Sequence, residues 1–160
     1  MGPTIHPGRY TAELDEDFVV FLIGMRINSF RKVRKWWPVF TAMRPMLQAH
    51  EANPDIGVLD TRQAILSPRM PLIIQIWRSF DDLERFARED MLHTEPWKTY
   101  FKVVGASSGD VGIWHETYKV AAGDHESIYG NMPRFGLANA GRHRGLGSAS
   151  QARERISVRV

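Results

Sequence analysis

A chain of 160 residues, 43% hydrophobic and 24% charged, has the length and make-up of one soluble globular domain. The absence of cysteine excludes disulfides, thiolate nucleophiles and cysteine-ligated zinc or iron–sulfur sites. The isoelectric point near 9.4 comes from one end. Residues 138–160 hold five arginines against one glutamate, a net of +4, and leave 16 basic and 17 acidic side chains elsewhere.

That end is rich in Gly, Ser, Ala and Arg and reads as a solvated, disordered tail. The expected organisation is therefore a single domain over 1–137 followed by a basic tail over 138–160, with no nucleic-acid partner. No basic-then-apolar leader opens the chain, and the longest apolar run, Phe18 to Ile23, is too short to span a bilayer. A cytoplasmic protein without a membrane partner is the default expectation.

Phe18 to Ile27 is rich in β-formers and apolar at every position to Ile23, which predicts a strand covered on both faces. Trp36, Phe40, Met43, Leu47 and His50 recur at helical spacing, interrupted near Pro38 and Pro45, and predict one apolar helix stripe. Strands are expected over 57–66 and 72–78, joined through Ser67-Pro68-Arg69-Met70-Pro71 as a hairpin. Ser79 with Asp82 three residues on marks a helix N-terminus of capping-box type. A second helical stripe runs Trp97, Tyr100, Phe101, Val104, and a polar loop leads into a strand over 109–120.

The order strand, helix, strand, strand, helix, strand is the split βαβ of an α+β, ferredoxin-like βαββαβ fold. Helices covering one sheet face leave the other to be polar or buried, and the first and third strands are too apolar for water. A second sheet on that face predicts a homodimer, a dimeric α+β barrel.

Two isolated histidines attract attention within this frame. His93 falls on the apolar face of the helix that Ser79 opens, and His115 shares a strand face with Val111 and Ile113, with Trp114, Glu116 and Tyr118 on the other. No zincin spacing, nucleophile elbow or dinucleotide-binding glycine motif occurs. One reading makes both histidines core residues with satisfied hydrogen bonds. The other faces them across a slot between helix and sheet that takes haem b: His93 binds the iron, and His115 acts on a ligand at the open side. Trp36, Phe40 and Trp97 then line the cofactor, and the substrate is a small hydrophobic molecule. Val111 and Ile113 are expected to wall His115 in a low-dielectric setting.

From about Gly8 to Leu137 the chain resembles a family of monooxygenase-like proteins named after an oxygenase of fumagillin biosynthesis. The phrases that carry the likeness are G-R-Y-T-A-E-L at 8–14, R-K-W-W-P-V-F at 34–40, W-R-S-F-D-D-L-E-R-F-A-R at 77–88, D-V-G-I-W-H-E-T-Y at 110–118 and I-Y-G-N-M-P-R-F-G-L at 128–137. The resemblance implies a dimeric α+β barrel of the antibiotic-biosynthesis-monooxygenase type. Residues 82–120 are also similar to the C-terminal part of haem-containing aldoxime dehydratases. That likeness puts His93 in the proximal place and His115 in the distal one. Those enzymes are roughly twice as long, and their distal serine and arginine find no match here. The functions implied are a haem-binding oxidoreductase, an aldoxime dehydratase-like lyase, a cofactor-independent monooxygenase, or a non-catalytic module for small ligands. The turn Tyr129-Gly130-Asn131-Met132-Pro133 reads either as a lid over the pocket or as a tight C-terminal wrap.

Overall fold

The computed structural model describes residues 2–41, 54–89, 109–147 and 151–156, together with Lys98 and Lys102. Its elements in chain order are β1 (His6–Glu13), β2 (Phe18–Ile27), α1 (33–41), a 3-10 turn (Pro54–Ile56), β3 (Val58–Ser67) and β4 (Met70–Trp77). After these come α2 (Phe80–Glu89), β5 (Val111–Val120), β6 (Tyr129–Met132), α3 (Leu137–Ala140), β7 (Arg142–Gly145) and α4 (Ala152–Arg155).

Four strands form an antiparallel sheet in the order β3-β4-β2-β5, the strand order of the ferredoxin-like fold. β2 lies in its middle. Alternation along that strand sends Val19, Phe21, Ile23, Met25 and Ile27 to one face. Two clusters cover this face. Val19 and Trp77 pack with Leu83 and Phe86 of α2, and Met25, Ile27 and Val111 pack with Val39 of α1. The expected hairpin is present, with Ser67 opposite Met70. α2 starts as the sequence indicates: the Asp82 backbone N–H donates to Ser79 Oγ at 3.0 Å. Its carboxylate is ion-paired with Arg78 at 2.8 Å and with Arg85.

Two expectations need correction. On α1 the buried stripe is Val39 with half-buried Trp36, whereas Phe40 is 45% exposed and lies against Trp37. A step of four from Trp36 placed Phe40 inward, but the packed contact uses the step of three. Met43, Leu47, His50 and the stripe over 97–104 lie outside the described residues.

The larger correction concerns the tail. Arg142–Gly145 is not a solvated terminus but an edge strand of a second sheet, ordered β6-β1-β7, with Glu13 opposite Arg142 and Tyr10 opposite Gly145. The arginines that marked the segment as solvated are ion-paired: Arg142 with Asp15 at 3.0 Å and Arg144 with Glu13. Composition is blind to such pairing, so the domain runs past residue 137. Long-range hydrogen bonds tie the sheet together, from Thr11 Oγ1 to the Ser127 carbonyl at 2.8 Å and from the Ala12 N–H to Ser127 Oγ at 2.9 Å. No described helix is long and apolar enough to cross a membrane.

Candidate functional site

β5 runs along β2 over ten residue pairs, from Phe18 opposite Val120 to Ile27 opposite Val111. Opposed residues share a face in an antiparallel pair, so His115, opposite Ile23, stands on the helix side with Val111 and Ile113. Trp114, Glu116 and Tyr118, opposite Gly24, Leu22 and Val20, stand on the far side. This is the arrangement the alternation implied. On the far side the Tyr118 hydroxyl donates to Glu116 Oε2 at 2.5 Å, and this bond holds the phenol above its usual pKa. Glu116 therefore does not orient the His115 ring.

The surroundings of His115 differ from the low-dielectric wall expected. Val111 is buried and Ile113 half-buried, but His115, further along the same face, is exposed. Its ring lies 5.7 Å from that of Phe21, and no hydrogen bond reaches either nitrogen among the described residues. Phe21 opposes Gln75 on β4, and Ile23 opposes Ile73. Gln75 is buried, and its Oε1 accepts from the Trp77 indole N–H at 3.1 Å. The floor beside His115 is therefore mostly apolar, with one buried amide beside it.

Trp36 packs against the Met25–Val111 cluster, and its indole N–H donates to the Phe30 carbonyl at 3.0 Å. Two other tryptophans, Trp77 and Trp114, serve packing rather than a pocket. Trp77 is fully buried, and the Trp114 indole lies across Gly24 so closely that a Cβ there would stand 2.7 Å from Nε1. His93 and Trp97 lie outside the described residues.

At the start of β5, Asp110 takes hydrogen bonds from Ser29 Oγ at 2.9 Å and from the Lys32 and Lys35 ammonium groups at 2.8 Å each. The lysines, ahead of the serine, hold this carboxyl far below the usual range. The network ties β5 to the start of α1 and fixes the strand that carries His115.

The family described as monooxygenase af470-like matches residues 18–137. The chain belongs to this family. No curated protein matches it. Among solved structures, the aldoxime dehydratase OxdRE in complex with butyraldoxime is 16% identical, with a TM-score of 0.65 over 96% of this chain and 41% of that one. A second aldoxime dehydratase is 19% identical, with a TM-score of 0.66 over 84% and 40%. The af470-like chain thus spans about two fifths of the length of these structures, and at such identities the likeness is one of fold. The cofactor-independent oxygenase SnoaB from Streptomyces nogalater matches at a TM-score of 0.45 and 10% identity, over 64% of this chain and 91% of that one.

One feature of the af470-like chain escaped the sequence. A solvent-open groove of about 510 Å³ lies on the far side of the sheet from His115, over Phe18, Val20, Ile76 and Val120, beside residues 124–129 and 135–137. The stretch at 129–133 is consequently no lid over the histidine face. Tyr129–Met132 is β6, paired with β1. His125, in a segment without apolar periodicity, lines this groove.

Proposed function

We propose that this af470-like protein is a haem-binding oxidoreductase that acts on a small apolar organic substrate on the helix-facing side of its four-stranded sheet. The observation that carries the reading is His115: an exposed imidazole at mid-strand, beside Phe21, with both nitrogens open among the described residues. Open nitrogens above a floor of Phe21 and Ile23 suit a flat apolar group with a ligand to be polarised. The family description, a monooxygenase, supports the same class of chemistry. His93 is the proposed iron ligand. Trp36 and Trp97 form the apolar surround, with Phe40 at its solvent edge. Haem would supply an iron centre that binds and polarises the reacting group. His115 would hold or deliver a proton at its imidazole nitrogen.

The working unit is a homodimer in this reading. On the far sheet face Leu22 and Ile74 are half-buried, while Tyr118 is 51% exposed. A second copy would cover that apolar area.

An aldoxime dehydratase-like lyase is a second reading, which the fold likeness favours. It uses the same two histidines. Protein produced with added haem should show a Soret band that His93→Ala weakens or removes. His115→Ala should keep the band and lose about 10²–10⁴ in turnover, the usual effect of one acid–base group. Colourless protein that ignores added hemin would overturn the haem reading. Oxidation of hydroquinone-like substrates under oxygen, against dehydration of butyraldoxime, separates the two chemistries.

A further inference from the structure

One stretch of the chain carries charge of a single sign. Residues 18–50 hold six lysines and arginines and no aspartate or glutamate. Four of these cations gather around the start of α1: Arg31 and Lys32 just before it, Arg34 and Lys35 in its first turn. Arg69 joins them from the hairpin, its guanidinium 4.5 Å over the Phe30 ring. Asp110 compensates one unit of that charge, through Lys32 and Lys35. Arg31 and Arg34 are exposed and have no ion pair among the described residues. Five cations less one carboxylate leave the patch at +4.

Beside these cations α1 shows an apolar face to solvent. Val39 is turned to the core. Val33, Trp37 and Phe40 recur at steps of four and three on the outer side, and Phe30 extends their line from the turn before the helix. These four side chains are 39–52% exposed. The rings form a continuous chain, with centres 6.4 Å apart from Phe30 to Trp36, 5.8 Å from Trp36 to Trp37 and 5.9 Å from Trp37 to Phe40. Single exposed apolar groups are ordinary, but a contiguous apolar patch with a charged rim marks an interaction surface. Its form selects the partner. The stripe stands on the convex outside of a helix, which favours a partner that flows around it over one of fixed shape. Trp and Phe on a helix face flanked by Lys and Arg suit the interfacial layer of an anionic bilayer. The rings reach below the headgroups while the long cationic side chains stay at the phosphates. α1 covers the helix side of the sheet, so a second copy on the far face leaves this stripe free.

We propose that the outer face of α1 docks on the surface of an anionic membrane, with Trp37 as its central apolar anchor and Arg31 and Arg34 paired to lipid phosphates. The contact is peripheral and does not depend on haem. Sedimentation of the full-length protein with vesicles tests it, phosphatidylcholine alone being compared with equal parts of phosphatidylcholine and phosphatidylglycerol. Binding is expected to the anionic vesicles and not to phosphatidylcholine, and added salt should weaken it. Arg31→Gln combined with Arg34→Gln should lower the partition coefficient about 25-fold, at roughly fivefold per cation. Trp37→Ala should lower it by about tenfold or more, because the indole surface is no longer withdrawn from water. Two controls should bind as the parent does: Ile65→Ser, which removes an apolar side chain 75% exposed elsewhere, and Arg153→Gln, which takes an exposed cation from the C-terminal segment. Circular dichroism checks that each variant folds. The proposal fails if the protein stays in the supernatant with both kinds of vesicle, or if binding survives both the arginine pair and Trp37→Ala. It also fails if Arg153→Gln abolishes binding while the arginine pair does not, because the C-terminal segment then makes the contact. Without vesicle binding, capture on immobilised poly-L-glutamate would point to an acidic protein, and self-association abolished by Trp37→Ala to a second copy; either result overturns the proposal.

Discussion

Trp77→Ala tests the packing logic most directly. Trp77 is 0% exposed and packs with Val19, Leu83 and Phe86. Its ring centre lies 5.5 Å from that of Phe86, and its indole N–H donates to Gln75 Oε1 at 3.1 Å. Truncation removes the largest side chain from the seam where α2 meets the sheet and takes a donor from a buried amide. Buried Trp-to-Ala changes cost about 3–5 kcal/mol. Against a total stability of about 5–15 kcal/mol, that is a large share. For a chain of this size each kcal/mol moves the melting temperature by about 2–4 °C, so a fall of about 10 °C is expected. Urea unfolding followed by far-UV circular dichroism avoids the change in tryptophan signal. The midpoint should drop while the slope stays the same. Trp37→Ala is the control, because Trp37 is 52% exposed and should cost no more than about 1 kcal/mol. Equal shifts for the two variants would refute the assignment of Trp77 to the core.

Other outcomes follow from local geometry. Gly57 has φ +95°, and a Cβ there would stand 2.6 Å from Asp82 Oδ2; Gly57→Ala should cost about 1–3 kcal/mol, and a thermal melt equal to the parent's would contradict that backbone. Ser79→Ala removes the acceptor of the Asp82 N–H and should destabilise by about 1 kcal/mol, read as a urea midpoint; Ser79→Asp should restore most of it. Asp110, held low by Lys32, Lys35 and Ser29, gives stability that is fully present above the ordinary aspartate pKa of about 3.9 and lost as pH falls through its depressed folded value. Urea midpoints from pH 6 to pH 2 should therefore decline less steeply for Asp110→Asn than for the parent, and parallel curves would exclude the network as a source of acid sensitivity.

The ferredoxin-like order of elements was legible because its signals are local. The apolar run of Phe18–Ile27, the hairpin turn at Pro68-Arg69 and the Ser79 cap each act within a few residues, and each stands in the structure where its pattern places it. The two faces of β5 followed from alternation alone. What the sequence could not decide depends on contacts between distant segments. His6–Glu13, Tyr129–Met132 and Arg142–Gly145 carry no apolar alternation. They become strands only because Thr11 and Ala12 meet Ser127, and Glu13 meets Arg142 and Arg144, across more than a hundred residues. The choice of Val39 over Phe40 as the buried residue of α1 depends on where the helix lands on Met25 and Ile27. The exposure of His115 and the unpartnered Nδ1 of His125 are likewise set by what packs above them. Periodicity fixes which way a side chain points along its own strand, and only the packed neighbours fix what it meets there.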